Sequence, residues 1–378
     1  MADTLYFSRD TKVYAAIGTN VWEIPVLDGF SFSQATNASE ITLNEMSDGS
    51  NNSRRARQMF TDSYAPAEWS FSTYVRPFMS AGSGSGAADS AAKVHAVEEV
   101  LWAQMVGAGT YSANTFPGLD HTADSNASLD IAFTGSNKTT LGTIDLFFVM
   151  GATGGGAETV YHISGCCVNE ASLDFDIDGI ATINWSGMGK LIKEAEDSAH
   201  SFLSGGAITP TVTEGTLATD TGNFIRNRLT SLTLTGSDSG NFNATYDVVL
   251  TGGNITISNN MTFLTPEVLG VVNQPLGHVT GTRSVSGNFT CYLNAEAGSS
   301  AELFEDIIES TTTITNQFGL LFKVGGTGTP RIQLNMPKCH LEVPTHSIED
   351  VISLETNFHA LPTNIESADE VSIKYVAT

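Results

Sequence analysis

Leu27-Asp28-Gly29-Phe30-Ser31-Phe32-Ser33 and Leu250-Thr251-Gly252-Gly253-Asn254-Ile255-Thr256-Ile257-Ser258 are two versions of one local pattern. In each, a Gly-containing turn leads into a run that alternates apolar and small polar residues, the signature of a half-buried strand. A long connection follows each run. Residues 68–75 (EWSFSTYV) and 285–293 (VSGNFTCYL) then alternate in the same way, with the aromatic and β-branched residues that strands favour. The chain therefore reads as one plan written twice.

Working outward, each copy next changes to helical period. Val94, Val97, Val100, Leu101 and Met105 are spaced for a helix, with Asp89 or Ser90 as N-cap. Leu303, Phe304, Ile307 and Ile308 follow Ser299, and Glu302 completes a capping-box pattern. Glu98, Glu99, Glu305 and Glu309 are expected mainly on the solvent side. Strands then close each copy. Residues 144–150 correspond to 318–324, each followed by a Gly-rich turn; 161–168 correspond to 332–341, setting Cys167 opposite Cys339; and 171–186 and 347–361 form final hairpins. The expected architecture is mainly β: two tandem β-sandwich or barrel domains, each with one flanking helix. Their expected bounds are 1–188 and 223–378. A linker at 189–222 joins them, with a short helix over 190–202.

Composition agrees with this plan. A chain of 378 residues exceeds what one core usually serves, and 41% hydrophobic residues suffice for folded cores. The 17 Lys+Arg against 41 Asp+Glu give a net charge of −24, with the acidic excess in both halves. Such a chain does not hold duplex DNA by neutralising phosphates. It can line a passage to which DNA must not adhere, although most of these charges serve solubility. Four cysteines, at 166, 167, 291 and 339, show no framework spacing and read as buried apolar residues in a reducing compartment. The N-terminus has no basic-then-apolar leader, and the longest apolar runs are too short to span a bilayer. The expected setting is soluble, with synthesis in a cytoplasm.

No catalytic or metal site assembles in the sequence, and no cofactor is expected. Asp174-Phe175-Asp176-Ile177-Asp178-Gly179 starts like a calcium loop, but position twelve is Trp185 where a bidentate Glu is required. It reads better as a hairpin that turns Leu173, Phe175 and Ile177 to the core and the three aspartates outward. His340 and His346 lie near Cys339, yet Pro344 interrupts the strand and no second ligand pair exists. The long connections carry more information. Residues 47–67 hold Arg54, Arg55 and Arg57 with Met59, Phe60 and Tyr64; residues 265–282 hold Val268, Leu269, Val271, Val272 and Leu276. Long connections of this kind point to contact surfaces on a partner subunit.

The duplicated order of strand, long loop, strand, helix and strands, with Trp22-Glu23-Ile24-Pro25-Val26-Leu27-Asp28-Gly29-Phe30 and the strand at 68–75, resembles tail tube proteins of tailed bacteriophages. The resemblance covers most of both copies. It implies a structural virion protein, not an enzyme, made in the host bacterial cytoplasm and placed in the phage tail. A fused two-domain member implies a homotrimer forming a pseudo-hexameric ring. Such rings stack through the long loops into a hollow tube through which DNA passes during ejection, without specific binding. The implied partners are further copies of the chain and other tail proteins: tape measure, terminator, and baseplate or tip. No membrane is involved. In that setting Arg54, Arg55, Arg57, Val268, Leu269 and Val271 are the expected inter-ring contacts. Asp174, Asp176, Asp178, Glu349, Asp350 and Glu355 are the expected lumen-facing acids. The alternatives are another phage structural component, such as a decoration or tail terminator protein, and a two-domain β-sandwich adhesin or binding module.

Overall fold

The computed structural model describes residues 6–27, 29–41, 49–50, 57–79, 93–112, 115–122, 128–133, 141–152, 158–196, 199–212, 221–236, 245–309 and 318–377. The fold is mainly β. The first half contains β1 (Tyr6–Ile17), β2 (Asn20–Ile24), β3 (Ser31–Glu40), β4 (Met59–Tyr74), α1 (Glu99–Val106), β5 (Ile144–Ala152), β6 (Thr159–Asp176) and β7 (Thr182–Gly189). The second contains β8 (Ser231–Gly236), β9 (Tyr246–Asp247), β10 (Leu250–Ser258), β11 (Ser284–Tyr292), α2 (Ser300–Glu309), β12 (Phe318–Val324), β13 (Arg331–Leu341), β14 (Thr345–Ser347), β15 (Ser353–Ala360) and β16 (Ser372–Val376).

The antiparallel pairings of one half recur in the other. In the first, the order β2-β1-β5-β6-β7-β4-β3 is continuous. The bridge between Val26, just past β2, and Thr73 of β4 returns it on itself as a small barrel. In the second, the order β9-β8-β12-β13-β15-β11-β10 matches it strand for strand. Its return is the bond from Tyr292 N to the Val249 carbonyl. The cause is legible in the strands. Trp69, Phe71, Ile183, Trp185, Leu173 and Phe175 are buried at every second position, as are Ile255, Ile257, Phe289, Leu354 and Phe358. Small residues make the tight approaches: a Cβ on Gly187 would stand 2.0 Å from the Cys167 carbonyl oxygen and 2.5 Å from the Trp69 ring.

The two halves are joined by backbone pairing. The last part of β6, Glu170 to Asp176, pairs with β10 from Ser258 back to Gly252. One sheet therefore runs β3-β4-β7-β6-β10-β11-β15-β14 across both halves. On the far side, β16 pairs with β13 and with Ser128–Ala132 of the first half.

The helices differ from expectation. The first begins at Glu99; Val94 lies in a short strand, Val94–Ala96, paired with Pro77–Met79. All eight residues of α1 are buried, and Glu98 and Glu99 are buried too, not solvated. The reason is a set of polar partners inside. Glu98 accepts from the Tyr375 hydroxyl at 2.6 Å, and that hydroxyl accepts from Trp102 Nε1 at 2.6 Å. Burial pushes the Glu98 carboxyl up to about 7 in spite of those bonds. Trp102 meets Trp185 edge to face at 4.8 Å. By contrast α2 is amphipathic, with Leu303 and Ile307 buried and Glu305 exposed. Glu302 closes its cap on Gly298 N, one residue earlier than the expected box.

Four further expectations are corrected. The helix expected over 190–202 is not formed by its described first part, 190–196: Ile192–Glu194 is a strand on β6, because Gln34 holds the Ile192 N–H and the neighbouring Lys190 carbonyl. The following Phe202, Leu203 and Ile208 pack on Tyr14, Phe147 and Val160. Much of the predicted loop at 47–67 is strand, since β4 starts at Met59 and pairs with β3 as a long hairpin. Ile177 is 46% exposed, because the chain leaves β6 after Asp176. Finally, the counterpart of Cys339 is Cys166: these residues stand opposite Phe318 and Ile144, the first residues of β12 and β5. Cys167 instead packs with Met261 and Phe263.

Candidate assembly surfaces

The continuous sheet has one buried face and one polar face. Its register lines up rows across the strands. One row reads Ser72, Asn184, Ser172, Thr256, Ser286 and His359. The next reads Tyr74, Thr182, Asp174, Asn254, Asn288 and Asn357. Hydrogen bonds stitch these rows. Asn184 Nδ2 donates to Asp174 Oδ2 at 2.9 Å and Asn288 Nδ2 to Glu355 Oε1 at 3.0 Å, while Asn357 Nδ2 donates to Glu342 Oε2 at 2.9 Å. The Asn357 and His359 contacts hold Glu342 below the usual carboxylate range. Glu68, Glu170, Asp174, Asp176, Glu342 and Glu355 all fall on this polar side of their strands, and none of the residues in these rows is Lys or Arg. The face is hydrogen-bonding and negative.

Three of the six expected acids, Asp174, Asp176 and Glu355, thus share the polar face. Asp178 lies just beyond, in the turn after β6, with Arg228 at 3.3 Å. Glu349 and Asp350 are exposed in the bend between β14 and β15, beside Ile348 and Val351. His340 and Cys339 do not converge as ligands: burial pushes the Cys339 thiol up to about 12, and His346 packs edge-on against Phe304.

The structure brings the two long connections together, one from each half. The hairpin arms of β3 and β4 carry exposed Met59 and Phe60. The second connection sits beside them, because Tyr64 N donates to the Asn273 carbonyl at 2.9 Å and Asn273 N to the Asp62 carbonyl at 3.0 Å. From this anchor Val268, Leu269, Val271 and Leu276 project into solvent, with Leu269 fully exposed. Asn273 Oδ1 also accepts from Val268 N at 2.7 Å, which fixes the turn. Arg57 pairs with Glu40 across the hairpin of its own chain. Arg54 and Arg55 lie outside the described residues. Sequence reasoning missed this union of the loops, because nothing local in residues 62–64 or 273 announces a long-range bridge.

The sheet also ends in two open edges. Among the described residues, β3 pairs only with β4 and β14 only with β15. Yet their counterparts inside the chain, β10 and the end of β6, pair with each other. An unpaired edge of this length is a template for another strand.

These features meet a known family. Residues 16–360 match the model of the phage tail tube protein family. The tail tube protein pb6 of Escherichia phage T5 is 28% identical over 388 aligned residues, covering 99% of this chain and 77% of that relative. The match spans both halves, both open edges and both loops: the chain belongs to the phage tail tube proteins and has their structural role in the virion.

Proposed function

We propose that three copies close into a ring by repeating, between chains, the junction that already exists within each. The two halves, 1–188 and 223–378 with 189–222 between them, act as duplicate domains, so three chains present six. The observation that carries this reading is the β6–β10 pairing beside two open edges of the same kind. In the internal junction Ser172 stands opposite Thr256. Thr256 pairs with Ser286 as Ser31 pairs with Ser70, so Ser31 is its counterpart. Ser172 stands opposite Asn184, and the Glu342 N–H donates to the Asn357 carbonyl, so Glu342 is the counterpart of Ser172. Ser31 of one chain is then expected opposite Glu342 of the next. Closure removes both edges, and the sheet becomes a continuous barrel wall.

In such a ring the polar face lines the channel, and the bulk of each half lies outside. Asp174, Asp176 and Glu355, with Glu68, Glu170 and Glu342, supply the negative lining past which DNA slides. Rings stack through the joined loops, with Val268, Leu269 and Val271 as apolar contacts and Arg54 and Arg55 as bridges to the next ring. Other tail proteins, such as the tape measure, terminator and baseplate or tip, meet the ends. Cryo-electron microscopy of purified protein tests this reading. Hollow rings or tubes of three chains per layer are expected. Monodisperse monomers at high concentration, or a ring whose channel is lined by the α1 side, contradict it.

A further inference from the structure

Three side chains that the assembly does not use converge below the start of α1. His95 comes from the strand Val94–Ala96, Glu99 from the first turn of α1, and His121 from the strand Asp120–Thr122. Their side chains are 1%, 9% and 3% exposed. One nitrogen of each histidine and a Glu99 oxygen lie within 4.8 Å of one another, and among the described residues this is the group of His, Cys, Asp and Glu that converges so.

The hydrogen bonds settle which atoms are available. His121 Nδ1 is 2.9 Å from the Val94 carbonyl oxygen, which can only accept, so Nδ1 carries the proton. Its Nε2 is buried, lies 3.4 Å from Glu99 Oε1 and has no hydrogen-bond partner of normal geometry. A buried ring nitrogen this close to a buried carboxylate needs a positive centre between them, a metal ion or a proton. On the other side, His95 Nδ1 lies 2.8 Å from Glu99 Oε2, while its Nε2 is buried and unpartnered. The Val94 carbonyl on His121 is the kind of outer support that orients a metal-binding imidazole.

We propose that His95, Glu99 and His121 form a structural site for a divalent transition metal, zinc by its donor set. Two imidazoles and one carboxylate are ligands that zinc accepts, and a fourth tetrahedral position is left for water. The imidazole nitrogens lie 2.8 and 3.4 Å from different oxygens of Glu99, and one ligand atom from each residue falls within 4.8 Å of the others, so an ion with bonds of about 2.0 Å draws the three together by small side-chain shifts. The ion ties the hairpin Pro77–Met79/Val94–Ala96, the first turn of α1 and the strand Asp120–Thr122 to one point. The first turn of α2 offers Ser300, Ala301 and Glu302, so the site is confined to the first half.

Zinc content of the purified full chain, by inductively coupled plasma mass spectrometry, is the first test; about one equivalent is expected. Chelator-treated protein should melt several degrees lower, and zinc chloride, but not magnesium chloride, should restore it. Cobalt added to the metal-free protein should give the visible bands of a tetrahedral site. The double variant His95→Gln/His121→Gln should lose both zinc and the cobalt bands. Absence of zinc together with a melting temperature indifferent to added zinc overturns the proposal, and leaves a proton as the cation between His121 and Glu99. Retention of zinc by the double variant overturns it as well. If that variant does not fold, the cobalt spectrum of the unaltered chain decides: no tetrahedral bands means no site.

Discussion

The junction inside the chain and the two edges at its ends are made of the same parts in different states. At the junction, β6 from Glu170 to Asp176 and β10 have strand partners on both sides. At the ends, β3 and β14 have one partner each among the described residues. The junction is thus a matter of folding, and in the proposed ring the edges are a matter of assembly. Equivalent substitutions should separate the two.

The largest effect is expected at the junction. Thr256→Pro removes a ladder hydrogen bond from a strand with neighbours on both sides, and also the contact of the Thr256 and Ser172 hydroxyls at 3.1 Å. A cost of at least ~3 kcal/mol is expected, visible as a much lower melting temperature of the unassembled chain. The comparison at the edge is Val343→Pro, next to Glu342 on the segment that matches the end of β6. The Glu342 N–H is spent on the Asn357 carbonyl, so the next N–H faces outward, and Val343 is 61% exposed. This variant should melt within a few degrees of the parent yet fail to form tubes, as judged by electron microscopy. If both variants merely unfold, or both assemble, the distinction between junction and edge collapses.

The loops sharpen the comparison along the other axis. Leu269→Asp places a charge on a fully exposed apolar tip. Melting and ring formation should be unchanged, while stacking into long tubes should weaken, measured as tube length at fixed protein concentration. The smallest effect is expected for Arg228→Ala, at the end of the junction. Its partner Asp178 is 85% exposed and Arg228 74%, so neither melting nor assembly should change measurably.

The mainly β class and the recurring strand pattern were legible in the sequence, since Phe30-Ser31-Phe32-Ser33 and Ile255-Thr256-Ile257-Ser258 share both period and register. Period reports which face is buried, and it does so locally. It could not report that Glu98 and Glu99 are internal. Their partners Tyr375 and His121 lie far along the chain, and a carboxylate beside a helix normally reads as solvated. Nor could it show that Ser63 and Asn273 bridge, or that residues 192–194 add to β6 as a strand. Those contacts are set by tertiary placement, which overrides local preference. Of the six acids expected to line a channel, Asp174, Asp176 and Glu355 share the polar face of the sheet. The other three sit in turns, where alternation no longer determines direction.

In the proposed ring, Ser31 of one chain lies opposite Glu342 of the next. Directly opposed antiparallel residues have Cβ atoms about 4.5–5.5 Å apart, close enough for a disulfide to form with a small adjustment. All four native cysteines are buried, so background cross-linking is low. The double variant Ser31→Cys/Glu342→Cys, assembled and oxidised, should run as a covalent trimer on non-reducing gels, with each single variant monomeric. Tubes that form normally from the double variant but yield only monomers after oxidation would contradict this register and the ring closure built on it.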